Sequence, residues 1–165
     1  MAISQEKKHA IVAKLTDAFK DASAIAFVGF NKLTVKDSSK VRRELAKEGV
    51  QFFVAKKTLI RRALETAQYQ GEIPELPGEV AVAWSKGDAD VTAPARGIHE
   101  HGKKLKGAIA LLGGVFEKSF LNAEGAKAIA TIPSMVVLRG MFVNVINSPI
   151  QGLVVALDKI REQKA

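Results

Sequence analysis

The last thirty or so residues constrain the fold most, because they read as a helix that is apolar on almost every side. In the stretch SMVVLRGMFVNVINSPIQGLVVALDKI, which begins at Ser134, only Asn144, Asn147, Ser148 and Gln151 leave a narrow polar stripe. A helix apolar nearly all round has to be covered by something, and no later segment of this sequence supplies the cover. It either folds back on its own domain, enters a membrane or receives partner proteins. A membrane span needs about 20 nearly uninterrupted apolar residues, and here Arg139, Asn144, Asn147, Ser148, Pro149 and Gln151 interrupt the run. Partner docking fits the pattern best. Leu138, Phe142, Val145 and Ile146, and then Leu153, Val154, Leu157 and Ile160, recur at helical spacing as groove-filling anchors. Pro149 and Gly152 are expected to kink or divide the helix, giving adjoining docking platforms.

The residues before this tail alternate between two hydrophobic periods. Ile3 to Lys20 has the spacing of an amphipathic helix, and AIAFVGF (24–30) is a short apolar run that suits a buried strand. Thr34 is placed to cap a second helix, with Asp37 three residues on and Gly49 as its left-handed stop. VQFFVA (50–55) follows as a strand, and a third helix begins at Thr58. EVAVAWS (79–85) and AIALLGGVF (108–116) read as further strands, the latter with a Gly-Gly break. Between them, Pro94 and two glycines limit any helix in DADVTAPARGIHEHGKKL. A short helix capped by Asn122 ends before Pro133. Strands separated by helices predict parallel crossover units and an α/β sandwich. The expected fold is therefore α/β. A mixed-sheet domain over residues 1–133 carries packed helices, and a long projecting C-terminal helix, kinked near Pro149, covers residues 134–165.

The net charge of +8 is concentrated in the first half. Residues 1–64 hold about 14 Lys and Arg against 6 Asp and Glu, while the remainder is nearly balanced. Solvated helix faces account for some of this. The clusters carry few interleaved carboxylates, however, and so point to a polyanion. Lys56 and Lys57 stand at the corner between the second strand and the third helix, with Arg61 and Arg62 one turn on. Free N–H groups at a helix start add to the pull on phosphate oxygens. Lys40, Arg42, Arg43 and Lys47 decorate the preceding helix, with Lys32 and Lys36 at its entrance. In a helix and strand alternation both groups can fall on one side of the sheet. Neither an RNP-type aromatic motif nor zinc-finger spacing is present, so RNA shape and phosphates are the expected target. The residues expected to carry it are Lys32, Arg42, Arg43, Lys56, Lys57, Thr58 and Arg61, with Thr58 capping the helix that presents the charges.

Other chemistries find little support. GIHEHGKK (97–104) fits G-x-x-x-x-G-K, but Lys104 replaces the hydroxyl residue that would ligate Mg²⁺ and no strand precedes it. His99 and His101 lack a third ligand and read as surface histidines, so no metal and no cofactor is expected. No nucleophile–base arrangement suggests an enzyme or a small-molecule substrate. The absence of cysteine excludes a thiolate site and suits a reducing cytosol. The charged N-terminus shows no secretory signal.

Several stretches together resemble the bacterial large-subunit ribosomal protein L-ten family, the base of the ribosomal stalk. They are LTV (33–35), VRRELAKEGV (41–50), FFVAKKTLIRRAL (52–64) and IPSMVVLRGMFVNVINSPIQGLVVALDKI (132–160). The resemblance spans nearly the whole chain. It implies a cytoplasmic, ribosomal protein whose N-terminal domain binds large-subunit ribosomal RNA at the GTPase-associated region, beside ribosomal protein L-eleven. It also implies a C-terminal helix that carries dimers of the acidic stalk protein L-twelve, which recruits translational GTPases. Lys57 stands where the family usually has Asn, Lys32 where Gly is usual, and Ala46 where Arg is common. From the residues alone, the remaining alternative is a small basic membrane-associated protein with a C-terminal apolar anchor.

Overall fold

The computed structural model describes residues 5–31, 33–67, 69–70, 73–86, 90–105 and 107–164. The chain divides into two compact units, Met1–Ile132 and Pro133–Ala165. In the first, the order is α1 (Gln5–Lys20), β1 (Ala22–Phe30), α2 (Val35–Lys47), β2 (Val50–Val54) and α3 (Lys57–Ala67). It continues with β3 (Glu79–Lys86), α4 (Ala93–Lys104), β4 (Ile109–Phe116), β5 (Ser119–Leu121) and α5 (Ala123–Ala130).

Local chemistry sets several of these boundaries. The Thr34 hydroxyl accepts the Asp37 N–H at 3.1 Å and donates to the Asp37 carboxylate at 2.6 Å, which fixes the start of α2. Gly49 adopts φ 75°, a left-handed conformation that lets the chain leave α2 directly into β2. The Asn122 side chain accepts the Gly125 N–H at 2.9 Å and starts α5. Ile3, the expected beginning of α1, lies outside the described residues.

The sheet order is β2-β3-β1-β4-β5, and all neighbouring strands pair antiparallel. The ladders are thus antiparallel where a mixed sheet was expected, while the parallel crossover direction holds for β1 and β2. β1 and β2 do run the same way, as a crossover through α2 requires, but β3 lies between them and is antiparallel to both. Likewise β3 and β4 share a direction with β1 between them. An intervening helix therefore fixes neither direction nor adjacency: β2 and β3 have α3 between them and still pair antiparallel as neighbours. Among the described residues, the one parallel element is an isolated bridge, Gln70 to Ser119, beside the β5 edge.

Both faces of the sheet are covered. On one, Val28 of β1 packs with Val41 and Leu45 of α2, Ile98 of α4 and Ala126 of α5. On the other, Phe27 packs with Leu15 and Phe19 of α1, Ile60 and Leu64 of α3, and Trp84 of β3. Successive strand residues point to opposite faces, so a strand covered on both sides needs the unbroken apolar run found in β1.

Two local expectations are revised. α4 is a full helix despite Pro94, which sits in its first turn, where an N–H has no helical partner to lose. Its glycines mark close packing: a Cβ on Gly97 would lie 2.6 Å from Leu45 Cδ2, and one on Gly102 would lie 2.8 Å from the Ile109 carbonyl oxygen. β5 has no signature in the sequence, because its turn is made by Glu117 and Lys118, both at positive φ, in place of the usual Asn-Gly signal.

The second unit contains α6 (Met135–Lys164), a 30-residue helix. At 1.5 Å per residue it is about 45 Å long. It runs through Pro149 and Gly152 as one element, where division into two was one expectation. All its described side chains from Met135 to Gln163 are exposed.

Candidate nucleic-acid and partner-binding surfaces

α2 buries Val41 and Leu45 and turns Arg42, Arg43, Lys40 and Lys47 to solvent. α3 buries Leu59, Ile60, Ala63 and Leu64 and exposes Lys57, Thr58, Arg61 and Arg62. The two basic groups lie on opposite faces of the sheet, because α2 packs on the Val28 face and α3 on the Phe27 face. The same-side placement read from the sequence is corrected accordingly. β2, the outer strand, links the two helices and separates the patches. Lys32 lies outside the described residues.

The helix start also differs. Lys56, and not Thr58, occupies the position before the first residue of α3. Its carbonyl accepts the Leu59 N–H at 2.8 Å and the Ile60 N–H at 3.2 Å. Thr58 is the second residue inside the helix, so its hydroxyl does not cap. The chain turns within two residues of the end of β2, which brings the helix forward by one position. Lys56, Lys57, Thr58 and Arg61 nevertheless share the exposed beginning of one helix, with the unpaired N–H groups of its first turn nearby.

Among the described residues, the ion pairs are Arg96 with Asp90 and Glu48, and Arg161 with Asp158, and His101 lies beside Glu44. None involves Arg42, Arg43, Lys56, Lys57 or Arg61, so no carboxylate neutralises these cations by direct contact. Lys14 of α1 adds a charge that sequence spacing did not mark: its Nζ lies 5.9 Å from the centre of the Phe53 ring. Only tertiary packing of α1 beside β2 reveals it.

The remaining polar groups serve the fold. Arg96 is mostly buried and donates to Asp90 Oδ2 at 2.8 Å and to Thr92 Oγ1 at 3.1 Å. It also lies 3.6 Å from Glu48, just after α2. Burial raises the Asp90 carboxyl pKa. Hydrogen bonds from Arg96 and Thr92, together with the Arg96 charge, outweigh that effect and hold it below its ordinary value. His101, expected at the surface, is buried with Nε2 3.5 Å from a Glu44 oxygen. α4 turns it toward α2. The whole G-x-x-x-x-G-K stretch is helical and forms no phosphate loop. Among the described residues no group of His, Asp or Glu is arranged to hold a metal.

On α6 the eight expected anchors are 43 to 70% exposed. At 3.6 residues per turn, Leu138, Phe142, Ile146, Leu153, Leu157 and Ile160 share one face. Val145 falls on its flank, while Val154 borders the stripe of Asn144, Asn147, Ser148 and Gln151. Met135, seven residues before Phe142 and also exposed, extends the same face beyond the anchors expected from spacing. By length and composition alone, α6 is also apolar enough to cross a membrane.

Comparison with known proteins decides the context. The family model described as Ribosomal protein L10 matches residues 3–112. Large ribosomal subunit protein uL10 of Bacillus licheniformis is 33% identical over 164 residues, covering 99% of this chain and 97% of that protein. The same protein of Bacillus anthracis is 34% identical over 160 residues, covering 96% of this chain and 94% of its own length. These matches define the class, a structural protein of the large ribosomal subunit. The chain belongs to the Ribosomal protein L10 family.

Proposed function

We propose that this chain is a non-catalytic scaffold of the cytoplasmic ribosome, anchored to large-subunit ribosomal RNA and carrying dimers of the acidic stalk protein L-twelve. The observation that carries the reading is α6, whose large apolar side chains are exposed along its whole length in a chain that matches uL10 end to end. Burial of that surface is then intermolecular, with Leu138, Phe142, Ile146, Leu153, Leu157 and Ile160 as central anchors and Val145 and Val154 beside them. About 25 cal/mol per Å² of apolar surface covered gives such a helix ample driving force for binding.

RNA is held at the GTPase-associated region, beside ribosomal protein L-eleven, through two separate phosphate-contacting patches. One is Lys56, Lys57, Thr58 and Arg61 on the α3 side; the other is Arg42 and Arg43 on the α2 side, and Lys32 is a further proposed contact. Removing a cation that neutralises one phosphate should lower the salt slope of binding by a little under one unit. Replacing Lys56, Lys57 and Arg61 together by Ala is therefore expected to flatten that slope by about two to three units. An unchanged slope and affinity would remove the α3 patch from the interface.

The membrane reading draws on the length and hydropathy of α6. Co-sedimentation with lipid vesicles, set against co-sedimentation with ribosomal particles, separates the two. Capture by particles alone is expected, and capture by vesicles alone would reverse the assignment.

A further inference from the structure

The two edges of the sheet are finished differently. At the β5 edge the strand is three residues long, and Gln70 closes it: the Gln70 N–H donates to the Lys118 carbonyl at 2.9 Å, and the Phe120 N–H donates to the Gln70 carbonyl at 3.0 Å. At the opposite edge β2 pairs, among the described residues, only with β3, and its register from Val50 to Val54 runs without a bulge. The strand itself, VQFFV, contains no Pro and no charge, so it carries none of the usual devices that keep another strand away. Among the described residues, no backbone hydrogen bond from a turn or loop reaches it.

The surroundings of β2 define what could add to it. On the α2 side, a groove of about 360 Å³ runs beside the strand, lined by Arg42, Ala46, Gly49, Val50, Gln51 and Phe52. On the other side Lys14 stands over the Phe53 ring at 5.9 Å. Lys56 and Lys57 are exposed just past the strand's end. A chain lying along β2 would therefore meet cations on both faces and at one end. Its alternate side chains would point up toward Arg42 and down toward Lys14.

We propose that the β2 edge is a strand-addition site for an extended acidic peptide. The strand's outward N–H and C=O groups supply the hydrogen bonds, and Arg42, Lys14, Lys56 and Lys57 select for acidic side chains. A second copy of this chain is disfavoured, because pairing β2 with β2 would bring like charges together on both faces. RNA phosphates can meet these side chains, but they leave the backbone groups of the strand unused. The site thus overlaps the proposed RNA contacts at Arg42, Lys56 and Lys57 and differs from them in using the backbone of β2.

Hydrogen exchange on the full chain tests this, using a synthetic eight-residue peptide of alternating Glu and Val at low salt, with a Lys and Val peptide as control. At a peptide concentration about nine times its Kd, only about a tenth of the chain remains free, so outward amides of Val50–Val54 should exchange about tenfold more slowly. The control peptide should have no effect. Gln51→Pro should abolish the protection while leaving the salt slope of RNA binding unchanged, with Trp84 fluorescence confirming the fold. Should that variant unfold, Arg42→Glu gives a second reading and should weaken peptide binding at least tenfold. Unchanged exchange in β2 would overturn the proposal, as would equal protection by the Lys peptide. So would protection by a ribosomal RNA fragment in place of the peptide, or concentration-dependent self-association that protects β2 with no peptide present.

Discussion

The α/β unit and α6 draw on the same apolar residue types and treat them in opposite ways. Phe27 and Val28 are 0% exposed between two helical layers, whereas Phe142 is 66% exposed on α6. The first unit meets its demand for burial within the chain, and the second leaves that demand open. Apolar content alone does not distinguish these cases. What distinguishes them is whether facing elements exist, and this difference is the physical basis for reading one unit as a self-sufficient fold and the other as a docking element.

The largest test separates the two directly. Removing residues 134–165 is expected to abolish capture of L-twelve dimers while RNA binding persists. The single Trp, Trp84, lies in the Phe27-face core against Phe19, at 6.4 Å between ring centres, so its fluorescence reports the α/β unit alone. Its unfolding midpoint should shift by no more than about 2 °C. A truncated chain that unfolds would show that α6 serves as core, and the comparison would collapse.

Single substitutions extend the contrast. Phe27→Ala empties a fully buried position and should cost about 3–5 kcal/mol in urea unfolding followed by Trp84. Phe142→Ala should change that stability by less than about 0.5 kcal/mol and weaken partner binding by at least about 2 kcal/mol. Equal stability losses at both positions would contradict the division. Glycine replacements should differ in sign. Gly97→Ala drives a Cβ to within 2.6 Å of Leu45 Cδ2 and should destabilise by about 1–3 kcal/mol. Gly140 has open space where a Cβ would go, so Gly140→Ala should raise helix stability by up to about 1 kcal/mol, read by circular dichroism.

The two regions were also unequally legible. The period and caps of α2 gave its start at Thr34 and its stop at Gly49, because both depend on residues within one turn. The exposed anchors of α6 were likewise visible from spacing. The insertion of β3 between β1 and β2 was not visible: strand adjacency depends on contacts far apart in sequence, which periodicity does not encode. The same gap put the Arg42 and Lys57 patches on one side of the sheet when they lie on two. His101 looked like a surface residue because its burial comes from α2, more than fifty residues earlier. Gly97 looked like a helix breaker, since the Leu45 side chain that demands it is also remote in sequence, while Gly102 is demanded by the backbone of Ile109, in the next strand.

The smallest expected effect concerns charge, and it sharpens the same comparison. Arg96 and Asp90 pair at 2.8 Å with their side chains only 14% and 28% exposed, whereas Arg161 and Asp158 on α6 are 78% and 57% exposed. The exposed pair is screened by water and should contribute almost nothing. Asp90 is different, because its folded pKa is held below the unfolded value of about 3.9. A carboxyl shifted in that direction adds stability above the unfolded pKa and loses it as the pH falls through the folded one. Asp90→Asn should therefore be less stable than the parent chain by about 1 kcal/mol near neutral pH. That difference should shrink through the acid range as the parent's carboxyl takes up a proton, while Asp158→Asn should leave stability near neutral pH almost unchanged. Trp84-detected urea unfolding follows the first, and the helical circular dichroism of α6 follows the second. A gap for Asp90→Asn that stays constant from about pH 7 to about pH 2 would show that its carboxylate charge adds nothing to the α/β unit.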